Sequence, residues 1–183
     1  MNKGEICIFV EVILKINHGG HNMAIEIIER EQIRIIGMKL ETLLQDTREQ
    51  MIIPKLQQSF NERLEEVNGA VVFPITYGVF IDPPNYNPNT DLFTWIAGVE
   101  VNHDVEPPVD MISYELPKAT YAVLEYQGDI DRAGDAYGEL YEWIKNSEYE
   151  QAGTYGFEVY SKVHSPLERG NADFLLHFPI KRK

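Results

Sequence analysis

The sequence predicts an α+β domain made of two pseudo-symmetric repeats, each with the order strand, helix, strand, strand. Two stretches have apolar residues at helical spacing, Leu56 to Val67 and Ile130 to Ile144, and strand-like stretches follow each of them. Similar strings, Thr76-Tyr77-Gly78-Val79-Phe80 and Thr154-Tyr155-Gly156-Phe157-Glu158, come after the two helices. Antiparallel sheets from the two repeats would enclose a central cleft, and small ligands tend to bind in such clefts.

Residues 1–22 are expected to be a leader of doubtful status, with the domain covering 23–183. This segment ends in His18-Gly19-Gly20-His21-Asn22, directly before Met23. Two glycine codons can resemble a bacterial ribosome-binding site, which makes Met23 a candidate native or alternative start. The other interpretation is an edge strand from Ile6 to Ile16. Charged residues interrupt its apolar run and no cleavage site follows, so a secretory signal is not predicted.

The first repeat is predicted at about 24–102. Alternating apolar and charged residues from Ala24 to Lys39 predict a strand pair or one long bent strand. A helix with an apolar stripe follows, and Asn68-Gly69 ends it; its stripe residues are Leu56, Phe60, Leu64 and Val67. Strands are expected at Ile75–Ile81 and Leu92–Val101, separated by a loop rich in Pro and Asn at 82–89.

The second repeat is predicted at about 110–181, after a linker near Asn102 to Val109. Met111 to Tyr126 is expected to be a long strand region interrupted at Pro117. Asp129 can cap the second helix. Two strands, Thr154–Tyr160 and Phe174–Ile180, should complete the repeat.

The charge balance limits the classes of partner. Lys and Arg number 16 against 29 Asp and Glu, which gives a formal net charge of −13. That charge opposes binding to nucleic acid phosphates and to anionic membranes, and it favours cationic ligands. Cys7 is the single cysteine, which excludes an intramolecular disulfide. We therefore expect a cytoplasmic protein with no membrane segment and no cofactor or metal site.

Several short motifs together resemble the GyrI-like family of small-molecule-binding domains. They cover about Ile25 to Lys183 and comprise Ile53-Pro54-Lys55-Leu56, Tyr77-Gly78-Val79, Ala97-Gly98-Val99-Glu100, Leu116 to Val123, Gly128, Tyr141-Glu142-Trp143-Ile144, Phe157 to Tyr160 and His177 to Ile180. The resemblance implies an α+β fold of two repeats with a pocket for small, often cationic and lipophilic molecules. Bacterial family members are effector-binding domains of multidrug-sensing transcription regulators or stand alone. Gln57 departs from the aromatic residue that many relatives carry there.

The resemblance also places the signature acid of the family on Glu158. Strand alternation puts Glu158 on the same face as Tyr160, and a ligand cation could pair with the carboxylate. Aromatic rings add cation–π attraction, and the candidate rings are Tyr160, Tyr77, Phe93 and Trp95. The competing interpretation of Glu158 is an exposed strand residue or a salt bridge to Lys162.

Three functions follow as hypotheses. The leading one is a stand-alone module that binds a cationic or amphipathic drug-like molecule. The second is a hydrolase, because some GyrI-like proteins open strained electrophilic toxins, and Glu158 would then activate water. The third is an acidic protein-interaction role, since the family name comes from inhibition of DNA gyrase. Without a recognition helix the domain is expected not to bind DNA directly, and a homodimer or a separate regulator protein would be its partner.

Overall fold

The strand region at the start of each repeat divides into two strands. The structure, a computed structural model, describes residues 10–14, 24–70, 75–161 and 170–183. Strand β1 (Val10–Leu14) precedes the repeats. The first repeat contains β2 (Ile25–Arg30), β3 (Ile33–Thr42), α1 (Leu44–Gln50), α2 (Ile52–Glu62), β4 (Thr76–Ile81) and β5 (Phe93–Val101). The second contains β6 (Ile112–Leu116), β7 (Ala119–Asp129), α3 (Gly134–Asn146), β8 (Tyr149–Gln151), β9 (Tyr155–Tyr160) and β10 (Asn171–Arg182).

The strands form one ten-stranded sheet in which every pairing is antiparallel. Its order is β1-β2-β7-β10-β9-β4-β5-β3-β6, and β8 pairs with β10. From β2 to β6 this order is symmetric, because β2, β7, β10 and β9 on one side correspond to β6, β3, β5 and β4 on the other. The α+β class with two pseudo-symmetric repeats is therefore confirmed, and the repeats share one continuous sheet.

The first strand of each repeat crosses over to the other repeat. The segment Ala24–Lys39 forms two strands that do not pair with each other, since β2 pairs with β7 while β3 pairs with β5 and β6. Glu31 lies in the link between β2 and β3, and Lys118 lies in the link between β6 and β7. An ion pair joins these two links, with Lys118 Nζ 2.6 Å from Glu31 Oε1. Strand β1 pairs with β2 at the sheet edge. Met23, the predicted start, lies outside the described residues.

The helices lie where the local sequence predicts them, with two differences. The helix predicted as far as Val67 ends at Glu62 as α2, and a 3-10 turn, Leu64–Glu66, follows it. Pro54 lies in the first turn of α2, where its missing N–H costs nothing. Asp46 and Thr47 lie inside a separate short helix, α1, which ends at Met51 in the left-handed conformation. Thr47 Oγ1 accepts a hydrogen bond from the Ile53 amide at 3.1 Å, so it pairs with a backbone N–H in the first turn of α2. In the second repeat, Asp129 accepts a hydrogen bond from the Asp131 amide and begins a 3-10 turn, Ile130–Arg132, ahead of α3.

The sheet carries a core on each face. Helices α2 and α3 cover one face, called here the helix face, together with apolar strand residues such as Phe80, Trp95 and Phe178. On the opposite face, the fully buried core residues that the structure describes all lie on strands, including Val79, Ile96 and Phe157. Neighbouring residues of the central strands therefore point into different environments, because side chains alternate between the two faces.

Candidate functional site

The two repeats meet at the antiparallel pair β4–β9 in the middle of the sheet. In the register of this pair Gly78 lies opposite Glu158, and Phe80 lies opposite Gly156. The shared string places Phe80 in the first repeat at the position that Glu158 occupies in the second. The acid therefore lies beside the pseudo-two-fold axis, with a glycine as its cross-strand neighbour.

The helices flank this central pair. Helix α2 packs mainly on β3 and β5, whereas α3 packs on β7, β8 and β10. The strip formed by β4 and β9 consequently lies under the seam between the two helices. Side chains from both helices fill this seam over Glu158, whose exposed fraction is only 6%.

Two tyrosine hydroxyls hold the Glu158 carboxylate. Tyr137 on α3 donates to Oε1 at 2.6 Å, and Tyr160 on β9 donates to Oε2. Gln57 on α2 donates from Nε2 to the Tyr160 hydroxyl at 3.2 Å. Helix α2 is therefore connected to the acid through Gln57 and Tyr160, and α3 is connected to it directly through Tyr137.

This carboxylate is buried and has no cationic partner among the described residues. None of the ion pairs between described residues includes Glu158. Burial raises the pKa of Glu158, and the hydrogen bonds from Tyr137 and Tyr160 lower it by a smaller amount. Lys162, the salt-bridge partner considered in the sequence, lies outside the described residues.

The indole of Trp95 lies across Gly78, next to the acid. Strand β5 pairs Trp95 with Phe80, and the ring leans over Gly78, where a Cβ would collide with it. The indole Nε1 is a fully buried donor without an acceptor, and it is the single such side-chain atom found among the described residues. A buried N–H of this kind has lost its water and gained no partner, so it can still donate to an added acceptor.

Of the five predicted site residues, the structure places four on the helix face. Glu158 and Tyr160 are in direct contact, and Trp95 and Phe93 belong to the same buried cluster as Tyr160. Tyr77 points to the opposite face, because it pairs with Val159 and its neighbour Gly78 faces the acid. Alternation along β9 relates Glu158 to Tyr160, whereas the face of Tyr77 depends on the register between β4 and β9.

Tyr77 belongs instead to a polar contact on the opposite face. Its hydroxyl donates to Glu100 Oε2 at 2.8 Å and accepts from Arg30 at 3.4 Å. Burial is the main reason that its pKa rises to about 12. The Arg30 guanidinium lies 5.6 Å from the centre of the Phe157 ring, so this cation is on the far side of the sheet from Glu158.

Sequence reasoning missed Tyr137 and undervalued Gln57. Tyr137 lies within the stretch of helical apolar spacing, Ile130 to Ile144, and its ring faces the sheet, in contact with Phe80 and Phe178. Its hydroxyl then reaches past these rings to Glu158. Gln57, which departs from the family pattern, is buried and bonds to Tyr160. A polar residue on the buried face of an amphipathic helix was the available signal for both.

The described residues contain neither a metal-binding cluster nor a membrane-spanning helix. No group of three or more His, Cys, Asp and Glu side chains in these segments could hold a metal ion. None of the helices there is both long and apolar enough to cross a membrane.

Comparisons with known proteins agree with this architecture. Transcriptional regulator BrlR of Pseudomonas aeruginosa is 26% identical over 162 residues, which cover 87% of this chain and 56% of the regulator. The chain thus spans little more than half the length of that relative. The EcmrR C-terminal domain has a similar fold, with a TM-score of 0.64 at 12% identity over 88% of this chain and 99% of that one.

A further solved structure is that of SAV2435 bound to tetraphenylphosphonium. It has a TM-score of 0.59 and 14% identity, and the match covers 86% of this chain and 93% of that one. Finally, residues 23–181 match the family described as the GyrI-like small molecule binding domain. Because this match includes nearly all of both repeats, the chain belongs to the GyrI-like family of small-molecule-binding domains.

Proposed function

We propose that this domain binds a lipophilic organic cation whose charge lies against Glu158. The observation that carries the proposal is a buried carboxylate that has two tyrosine donors and no cationic partner among the described residues. Removing an ionised carboxylate from water is costly unless a charge of opposite sign accompanies it. A cationic ligand would supply that charge and stabilise the ionised form of the acid.

Aromatic rings around Glu158 suit a cation that carries apolar groups. Tyr137, Tyr160 and Trp95 present rings on the helix face near the acid, and each ring that faces a cation adds about 0.5–2 kcal/mol of attraction. Primary ammonium groups would also need several hydrogen-bond acceptors, whereas quaternary and phosphonium cations need none. The site therefore favours cations whose charge is shielded by apolar substituents.

The relatives support this class of ligand and a sensing or sequestering role. SAV2435 was solved with tetraphenylphosphonium, which is a shielded cation. BrlR is a transcriptional regulator, and EcmrR forms a complex with DNA. In this domain the net charge of −13 opposes direct DNA contact, so any effect on transcription would pass through a separate DNA-binding partner.

The seam must open for binding, because the side chains of both helices cover the acid. Tyr137 comes from α3 and Gln57 from α2, and both lie on hydrogen-bond paths to Glu158. A bulky cation would separate these side chains and replace tyrosine hydrogen bonds by its own charge. We therefore expect slow binding relative to an open pocket, since local rearrangement precedes or accompanies it.

The test is a calorimetric titration with two ions of the same shape and opposite charge. Tetraphenylphosphonium should bind the unmodified protein, and tetraphenylborate should not. Glu158→Gln keeps the shape of the side chain and should weaken tetraphenylphosphonium binding by more than about tenfold. Glu139→Gln, on the exposed side of α3, makes the same change in net charge and should leave the affinity unchanged.

Two results would contradict the proposal. Equal binding of the phosphonium and the borate would show that the site selects shape alone. Equal losses in Glu158→Gln and Glu139→Gln would assign the attraction to overall charge instead of the buried acid.

A hydrolase is the second candidate, and the raised pKa of Glu158 favours it. A carboxyl group with a pKa nearer neutrality is a better general acid or base at physiological pH. Opening a strained three-membered ring would add one water molecule across the broken bond, with no other reactant. Mass spectrometry of an epoxide incubated with the protein would detect the hydrated product, which should be absent with Glu158→Gln.

A further inference from the structure

A second carboxylate lies on the helix face at the far end of the central strand pair. Asp82 follows the last residue of β4, and its amide donates to the Thr154 carbonyl at 2.7 Å. Strand alternation places Asp82 on the same face as Phe80 and Gly78. The side chain is half-buried, and the described residues offer its carboxylate neither a hydrogen bond nor an ion pair.

Two tyrosines lie near this second acid, although neither donates a hydrogen bond to it. Burial, and after it the negative charge of Asp82, raises the pKa of both Tyr86 and Tyr141. Tyr86 packs with its ring 6.2 Å from that of Phe93, and the ring of Tyr141 lies 4.6 Å from that of Phe178. Desolvation without a hydrogen bond raises the pKa of Asp82 to about 6.

Helix α3 connects the two acids. Tyr137 and Tyr141 are four residues apart, so they project from one face of the helix, one turn apart. The Tyr137 hydroxyl donates to Glu158. The Tyr141 hydroxyl lies close enough to Asp82 for the negative charge of Asp82 to raise the tyrosine pKa. The rings of both tyrosines contact Phe178, which forms an apolar floor between the two ends.

The register gives the separation of the acids. Asp82 lies beside Thr154, four residues before Glu158 on β9, and this corresponds to about 14 Å along the sheet at about 3.4 Å per residue. Phe80 occupies the space between them, with its ring over Gly156. The helix face thus presents acid, aromatic floor and acid along one line.

We propose that Asp82, Tyr86 and Tyr141 form a second cation subsite, and that the domain binds elongated dications whose two charges reach Glu158 and Asp82 together. This inference rests on the proposed function, because it takes Glu158 as the first anchor. The apolar middle of such a ligand would lie along Phe80 and Phe178. The two subsites differ in strength, since Asp82 is half-exposed and its attraction is screened by water.

The probes are polymethylene bis-pyridinium ions and a matched monocation. Decamethylene-bis-pyridinium spans the two acids when extended, whereas tetramethylene-bis-pyridinium is too short to do so. Decylpyridinium has a similar apolar chain and a single charge. Calorimetric titrations at pH 8 keep Asp82 ionised. We expect the long dication to bind the unmodified protein about tenfold more tightly than decylpyridinium, and the short dication to lack this gain.

The variant Asp82→Asn should abolish the gain while leaving the affinity for decylpyridinium within about twofold of the original value. Asp173→Asn, at an exposed position of β10, makes the same charge change and should retain the gain. If the long dication gains nothing over the monocation, or keeps its gain in Asp82→Asn, the second subsite is refuted. If decylpyridinium binding is equal in the unmodified protein and Glu158→Gln, the proposed function fails instead.

Discussion

The two repeats share a backbone plan but place different chemistry at equivalent positions. In the first repeat Phe80 pairs with Trp95, and Val79 pairs with Ile96. In the second, Glu158 pairs with Leu176, and Phe157 pairs with His177. The second repeat thus has a buried acid and a buried imidazole where the first has only apolar groups. The second repeat therefore supplies the charge of the candidate site, and the first repeat supplies part of its aromatic wall.

The largest expected difference between the halves is the pH dependence of stability that comes from His177. The imidazole is buried, stacks on the Phe157 ring at 4.4 Å and has Nδ1 3.0 Å from the Leu175 carbonyl. Burial, and after it the positive charge of Arg30, lowers the pKa of His177 to about 3. Its equivalent, Ile96, does not titrate.

The sign of this dependence follows from the lowered pKa. Below about pH 6.5 the unfolded chain takes up a proton on this histidine, whereas the folded chain stays neutral until about pH 3. Stability is therefore fully present above pH 6.5 and is lost as the pH falls toward 3. The loss is about 1.4 kcal/mol per pH unit within this window.

The measurement is urea unfolding of the unmodified protein and His177→Leu between pH 7 and pH 4. Their difference in unfolding free energy should change by about 3 kcal/mol. Glu158 and Asp82, whose pKa values are raised, contribute in the opposite direction, but they are present in both proteins and cancel. Parallel pH profiles for the two proteins would show that His177 titrates normally in the fold.

A smaller difference is expected between the equivalent glycines Gly156 and Gly78. A Cβ at Gly156 would meet the Phe80 ring and also the His177 carbonyl oxygen at 2.8 Å. For a Cβ at Gly78, the three nearest atoms all belong to the indole of Trp95. Because a backbone atom cannot move aside as a side chain can, Gly156→Ala should lose about 2–3 kcal/mol of stability and Gly78→Ala about 1 kcal/mol. Urea unfolding of both variants tests this order, and equal losses would contradict it.

Most of the fold could be predicted from the sequence because its signals are local. The apolar stripe at Leu56, Phe60 and Leu64 and the capping by Asp129 depend only on nearby residues. The crossing of β2 to β7 could not be predicted, since strand partners are selected by long-range packing. The pattern of one strand does not identify its neighbour.

The candidate site was predictable only where alternation along a single strand decides the face. Glu158 and Tyr160 are two residues apart on β9, so their common face follows from the sequence. Tyr77 required the register between β4 and β9, which the sequence does not contain, and it lies on the other face. Tyr137 required the position of α3 over the sheet, and that position is also tertiary.

The smallest expected effect is that of removing one hydrogen-bond donor to Glu158, which Tyr137→Phe and Tyr160→Phe each do. Each hydroxyl lowers the pKa of Glu158, so each substitution should raise that pKa further. Because a cation binds the ionised acid, tetraphenylphosphonium affinity should rise with pH through this pKa, and each variant should shift that rise to higher pH. In Glu158→Gln the profile should be flat.

The two variants should differ in stability even where their binding profiles agree. Tyr160→Phe also removes the acceptor of the Gln57 side chain and leaves that buried amide unpaired, whereas Tyr137→Phe leaves no second group behind. Tyr160→Phe should therefore be the less stable variant, by about 1 kcal/mol in urea unfolding. Adding Gln57→Leu to Tyr160→Phe should recover this loss, because both partners are then apolar. A loss that persists in the double variant would mean that Gln57 is not what couples α2 in the first repeat to the acid in the second.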